Sequence, residues 1–237
     1  MEDLLMARIL KNYHERKNEF LDTAQQLFFT QGYDQTSVDA IIRKIGLSKG
    51  TFYYYFKSKE DLLDQLTCKM GEKILEEVKK IANRKDLDAI DKLNEAYAVT
   101  GNVKLENIEL LKVLIKVLYN DRNLFFRYKI FRKFTEMLAP EFAKIIRQGM
   151  NEKLFSTSYP DEAARLIFEI ANTLSGKIPT LMVDLDENPE NLKKVEREFK
   201  VYENAIERII GAKEGTFNIV DQNILKNFSE KLKESYQ

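Results

Sequence analysis

Two helix-start signals stand only ten residues apart, at Ser48 and Ser58, and they bracket the run Lys49-Gly50-Thr51-Phe52-Tyr53-Tyr54-Tyr55-Phe56-Lys57. The Ser48 hydroxyl is placed to accept from an orphan amide in the first turn of a helix. Ser58 repeats the device, with Asp61 at the capping-box position. The helix between them is therefore held to about two turns, too short to be a core element. At about 3.6 residues per turn, Phe52 and Phe56 share one face while Lys49, Thr51, Tyr53, Tyr54 and Tyr55 point elsewhere. Two rings bury, and the tyrosine hydroxyls face outward.

Just upstream, Val38, Ile41, Ile42 and Ile45 follow the spacing of an amphipathic helix, and Gly46 ends it as a residue tolerant of positive φ. A short capped helix, a glycine turn and a second short capped helix make a helix-turn-helix, whose second member enters the major groove of DNA. Before it, Phe20, Ala24, Leu27 and Phe28 keep the same spacing, and Gly32 stops that helix ahead of Tyr33. Three helices then share one apolar centre.

With those residues in view, residues 16–66 resemble the amino-terminal domain of the tetracycline-repressor (TetR) family of bacterial transcription regulators. The resemblance rests on Phe20-Leu21 with Ala24 and Leu27-Phe28, on Gly32-Tyr33, on Thr36-Ser37-Val38, on Gly46-Leu47-Ser48-Lys49-Gly50-Thr51, and on residues 52–56 leading into Lys57-Ser58-Lys59-Glu60. One departure is that Ile42 and Ile45 stand where the family usually has alanine, which bears on how the two helices pack. The resemblance implies that Thr36 or Ser37 touches phosphate, that Lys49, Gly50 and Thr51 make base or backbone contacts, and that Tyr53, Tyr54, Tyr55 and Lys59 contact phosphate. Residue chemistry agrees in kind, because hydroxyls, lysines and the amide of a glycine are groups that hold phosphate and register. Few of them read base edges, so sequence choice falls mainly to Lys49 against guanine and the Thr51 methyl against thymine.

Tyrosine triplets are more often core or interface than nucleic-acid surface, and it is the flanking caps that separate this one. Charge adds little. Nine lysines and arginines face five acids between Arg8 and Lys59, yet including Glu2, Asp3, Glu60 and Asp61 brings the window to balance, and the whole chain carries 38 of each sign. That neutrality argues against a promiscuous polyanion binder and fits one local basic face.

The inventory for catalysis is thin. The single histidine, His14, lies beside Glu15 and Arg16 on a charged helix, and the single cysteine, Cys68, reads as a small hydrophobe in a reducing cytoplasm. No Cys/His metal spacing, nucleophile elbow or phosphate-cradling glycine loop occurs, and Asp184, Asp186 and Glu187 read as a polar loop. We expect neither an enzyme, nor a metal, nor a cofactor. No apolar run has membrane-spanning length and no signal peptide precedes the first helix, so the expected location is cytoplasmic.

The chain has 237 residues, with nine glycines and four prolines, and the apolar spacing beyond the reading head remains helical throughout. The expected fold is all-α: a three-helix domain over residues 1–60 and a helical ligand-binding and dimerisation domain over 61–237 that ends in an extra helix. Helices are expected at 59–82, 87–100, 105–120, 123–150 with a bend or break at Pro140, 161–177, 190–210 and 221–235. Asn188-Pro189 reads as an N-cap followed by proline at the first helical position.

Rings are concentrated in this part, and plain packing accounts for many of them. The resemblance implies a small-molecule pocket in the second domain whose occupancy releases DNA, and Tyr97, Leu114, Tyr119, Phe131, Phe134, Phe168 and Asn172 are the expected lining. Such walls favour a large apolar or amphipathic effector, with Arg127, Arg132 and Arg147 available to an anionic one. The family also pairs its last two core helices across a two-fold axis. Ala164, Ala171 and Ser175 on one helix and Val201, Ala205 and Ile209 on the next are the expected interface. One short reading helix gives little affinity, and a homodimer on a palindromic DNA operator doubles the contacts. The rival reading is a helical binding or scaffold protein that leaves DNA alone.

Overall fold

The computed structural model describes residues 2–183 and 188–219 together with Leu225 and Glu230; the side chains of residues 2–12, Asp121, Ser175, Thr180 and Val183 lie outside that description. Among the described residues every regular element is helical: α1 (Glu2–Gln31), α2 (Val38–Ile45), α3 (Lys49–Tyr55), α4 (Lys59–Ala82), α5 (Ala89–Glu106), α6 (Ile108–Leu118), a single 3-10 turn (Asp121–Asn123), α7 (Leu124–Asn151), α8 (Pro160–Val183) and α9 (Asn191–Ile210). Two compact units divide the chain, Met1–Lys69 and Met70–Gln237, so the boundary falls inside α4.

In the first unit the helix limits come from short-range chemistry. Ser37 accepts from the Ala40 amide, Ser48 from Thr51 and Ser58 from Asp61, each supplying a partner for an amide that the helix itself cannot satisfy. Asp61 completes the last cap by accepting from the Lys57 amide at 2.7 Å. Gly46 adopts φ +75 and its amide donates to the Ile42 carbonyl, which closes α2 and turns the chain toward α3. Phe20, Ala24, Leu27, Phe28, Ile41, Phe52, Phe56, Leu62, Leu63 and Leu66 form the buried centre. Ile42 is buried as well, so the bulk that departs from the family pattern is absorbed in this packing.

In the second unit α8 packs against both α7 and α9, and α5 against α7. Pro140 lies inside α7 without breaking it, and Pro179 lies inside α8. Of the bend or break expected at Pro140, the break does not occur. The reading of Asn188 as an N-cap is also corrected. Residues 188–190 form a turn in which the Asn188 carbonyl accepts from the Asn191 amide, and α9 starts after Glu190 with no side-chain cap. Beyond α9, the buried carboxylates of Glu203 and Glu207 accept from the amides of Ile219 and Phe217 and tie the following segment to the helix. The expected helix at 221–235 and the acidic loop of Asp184, Asp186 and Glu187 lie outside the described residues, Leu225 and Glu230 excepted. Leu225 joins a cluster with Ile108, Ile178, Met182 and Val195.

Candidate functional site

The α3 helix carries out the division its spacing implies. Phe52 and Phe56 are 0% and 1% exposed, whereas Tyr53 and Tyr54 are 52% and 72% exposed. Phe20 of α1 meets both buried rings edge-on, at centroid distances of 5.7 and 5.8 Å, and this contact fixes the roll of α3 on the unit. Lys49 and Gly50 stand exposed at the start of α3. The Lys49 amine lies 3.3 Å from the Asp39 carboxylate on α2, a solvent-exposed pair of little strength that can yield to a nucleic-acid partner. Thr51 shares a 2.8 Å hydroxyl contact with Ser48, which holds its side chain at the N-terminal edge of the helix.

Three of the expected contact residues are placed differently from their neighbours. Thr36 is fully buried, and its hydroxyl donates to the Gly32 carbonyl at 2.8 Å, so this side chain closes the turn between α1 and α2 rather than reaching a phosphate. Ser37 is exposed and is the member of that pair at the surface. Tyr55 is only partly available, since its ring stacks on Phe20 at 5.7 Å and on Tyr13 at 4.9 Å. Lys59 is drawn back over the Tyr33 ring, 4.1 Å from its centroid, and donates to the Tyr33 carbonyl at 2.7 Å. Burial pulls the Lys59 amine below its ordinary value, with Asp34 and Glu60 acting against that fall.

Sequence reasoning missed Tyr13. It belongs to α1, seven residues before Phe20 and hence on the same helical face, and it touches both Tyr54 and Tyr55. The i,i+7 spacing to Phe20 was the signal that could have found it.

In the second unit a cavity of about 550 Å³ is lined by Tyr119, Leu124, Arg127, Tyr128, Phe131, Arg132, Glu169, Asn172, Thr173 and Gly176. Of the expected lining it gathers Tyr119, Phe131 and Asn172, and it leaves out Tyr97, Leu114, Phe134 and Phe168. Leu114 is buried in α6. Phe134 packs at Gly71, where an added Cβ would come within 3.2 Å of the ring. Tyr97 and Phe168 both pack edge-on against Phe142, and the Tyr97 hydroxyl lies 3.2 Å from that of Tyr202, which donates to the Ile167 carbonyl. These rings fill space in the protein rather than line the cavity. Arg127 lies 5.2 Å over the Tyr119 ring, Arg132 pairs with Glu136, and Arg147 pairs with Asp161 away from the cavity. An added Cβ at Gly176 would stand 2.5 Å from the Tyr119 ring, so only glycine lets that tyrosine lie against α8.

The expected dimer residues also divide. Ala164 is 0% exposed within the protomer, so it packs internally and leaves no surface for a partner. Ala171, Ala205 and Ile209 are half-buried, and Val201 is 60% exposed, as Leu166 is at 53%. The Ser175 side chain lies outside the described residues. Among the described residues no group of three or more His, Cys, Asp or Glu is assembled for a metal, and no helix is long and apolar enough to cross a membrane.

Comparison with known proteins covers the first unit most directly. A family model described as "Bacterial regulatory proteins, tetR family" matches residues 20–66. The chain is 35% identical over 81 residues to the fatty acid metabolism regulator protein of Bacillus subtilis, covering 32% of this chain and 42% of that protein. It is 47% identical over 49 residues to the uncharacterized HTH-type transcriptional regulator YuxN of Bacillus subtilis, covering 21% of this chain and 17% of that protein. These matches thus span less than half the length of the curated relatives. Over a longer stretch, the crystal structure of a TetR-family transcriptional regulator from Pectobacterium atrosepticum covers 84% of this chain and 96% of its own, with a TM-score of 0.61 at 16% identity, a likeness of fold. Caps and matched segment agree over residues 20–66, which are similar to the pattern of the tetR family of bacterial regulatory proteins, and beyond them the likeness is one of fold.

Proposed function

We propose that the protein is a ligand-responsive, DNA-binding transcription regulator, a repressor that reads a palindromic operator as a homodimer in the cytoplasm and is released by a small effector. The observation that carries this reading is the division at α3, with Phe52 and Phe56 wholly buried, Lys49, Tyr53 and Tyr54 exposed and Thr51 half-buried. The outward side chains are rich in phosphate-holding groups and poor in base readers. Ser37, Lys49, Gly50, Thr51, Tyr53 and Tyr54 form the principal contact set, with Tyr55 and Lys59 contributing from partly occupied positions. The matched relatives are described as regulators, which supports a regulator over an enzyme.

The effector enters the cavity between α7 and α8. Its rings and its two arginines suit an apolar or amphipathic molecule with an anionic end. The dimer uses the α8 and α9 surface around Leu166, Ala171, Val201, Ala205 and Ile209. A ligand that favours wrongly spaced reading heads weakens DNA binding by the same free energy with which DNA weakens its own binding, about 1–3 kcal/mol.

A mobility-shift titration with the DNA flanking the chain's own gene tests the reading. A regulator binds at nanomolar concentration, and its affinity falls steeply with salt. Weak binding without preference among duplexes, alongside retained small-molecule binding, would instead indicate a helical binding protein that does not read DNA.

A further inference from the structure

The contact surface of α3 is not held by α3 alone. Tyr13 is half-buried, and its ring lies 4.9 Å from that of Tyr55 and 6.0 Å from that of Tyr54, while Tyr54 and Tyr55 meet edge-on at 4.9 Å. His14, exposed, lies edge-on to Tyr13 from the next position on α1. Phe20 secures the inner face of α3 through Phe52 and Phe56, and Tyr13, two turns earlier, carries the same α1 face out to the tyrosines at the helix surface. By contrast, among the described residues the ring contact of Tyr53 lies within α3, against Phe52 at 5.3 Å. Burial, then the neighbouring phenols of Tyr54 and Tyr13, raise the Tyr55 phenol above its ordinary value while Arg16 acts the other way. The Tyr55 hydroxyl therefore stays a proton donor at neutral pH. The family match begins at residue 20, so its pattern makes no statement about Tyr13.

We propose that Tyr13 is a positioning residue for DNA binding: its ring fixes the rotamers of Tyr54 and Tyr55, so that their hydroxyls stand in place before DNA arrives. An exposed tyrosine that must be ordered on binding subtracts from affinity, and one held beforehand does not. The proposal rests on the regulator reading above. It assigns to the part of α1 beyond the family pattern a role in affinity without direct contact with DNA.

The test compares wild type, Tyr13→Ala, Tyr13→Phe and Tyr54→Ala on one duplex carrying the DNA upstream of the chain's own gene. Dissociation constants are measured across a salt series, and each variant is melted. Tyr13→Ala is expected to weaken binding roughly three- to tenfold, the range an aromatic pair spans, and to leave the salt slope unchanged, because no cation is lost. Tyr13→Phe keeps the ring and stays within about twofold of wild type. Wild-type affinity in Tyr13→Ala, whatever its melting temperature, would reduce Tyr13 to plain packing and overturn the proposal. A loss in Tyr13→Phe as large as in Tyr13→Ala would overturn it too, by making the hydroxyl itself a DNA contact. A wild type that shifts no duplex overturns the regulator reading and the positioning role together, whereas binding by wild type with an unaffected Tyr13→Ala removes the positioning role alone.

Discussion

Each unit holds a cluster of phenylalanine and tyrosine rings, and the two clusters turn their hydroxyls in opposite directions. Around α3 the phenylalanines Phe20, Phe52 and Phe56 are sealed inside, and Tyr53 and Tyr54 project to solvent. Around Phe142 the tyrosines are turned inward: Tyr202 is 4% exposed, donates to the Ile167 carbonyl and receives the Tyr97 hydroxyl. The first arrangement leaves polar groups available to a partner, and the second satisfies them internally. Ring content alone therefore does not distinguish a surface from a core. What distinguishes them here is the length of the supporting helix and what its neighbours offer to the hydroxyls.

The strongest test of that contrast is Phe52→Ala. Removing a wholly buried ring from a small unit is expected to cost about 3–5 kcal/mol, enough to melt the first unit and abolish DNA binding together. Denaturant unfolding followed by circular dichroism measures it, and a cost under about 1 kcal/mol would mean that Phe52 does not hold α3 in place.

A smaller effect is expected at alkaline pH in the second unit. Burial raises the Tyr202 phenol from its ordinary value of 10 to about 12, with the hydrogen bond from Tyr97 acting against the rise, and burial takes Tyr97 well above its ordinary range as well. The folded protein thus holds these protons more tightly than the unfolded chain. The Tyr202 contribution is fully present below pH 10 and is lost as pH rises toward about 12, at about 1.4 kcal/mol per pH unit. Melting temperatures between pH 9 and 11 should fall faster for wild type than for Tyr202→Phe. Parallel curves would show that the inward tyrosines do not govern alkaline stability.

The smallest stability effect belongs to Tyr54→Ala. An exposed ring on a helix surface is worth within about 0.5 kcal/mol to folding, so melting should barely move while DNA affinity falls. A large stability loss with unchanged affinity would reverse the comparison and make Tyr54 a structural ring.

The same contrast explains how much the sequence disclosed. The starts of α3 and α4 were legible because each is set by a serine acting three residues away, the end of α2 because Gly46 stops it, and the burial of Phe52 and Phe56 followed from helical spacing. Thr36 was not separable from Ser37, since its hydroxyl serves the Gly32 carbonyl, a turn closure that no local pattern announces. In the second unit the helices were legible from periodicity, but the cavity was not. Tyr97, Leu114, Phe134 and Phe168 are of the same apolar and aromatic kinds as residues around the cavity, and contacts between helices far apart in sequence place Tyr97, Phe134 and Phe168 in packing. Ala164 failed for the same reason: a small residue permits close approach to any neighbour, and here the neighbour is internal.

The serine caps of the first unit bear on the order in which this protein acquires its shape. Helix limits set by hydrogen bonds spanning three residues need no distant chain to form, and low contact order goes with fast folding. During synthesis residues 1–69 emerge before residues 70–237, and the starts of α2, α3 and α4 require nothing still to be made. The rings of the second unit must instead wait, because Tyr97 meets Tyr202 only after 105 further residues exist.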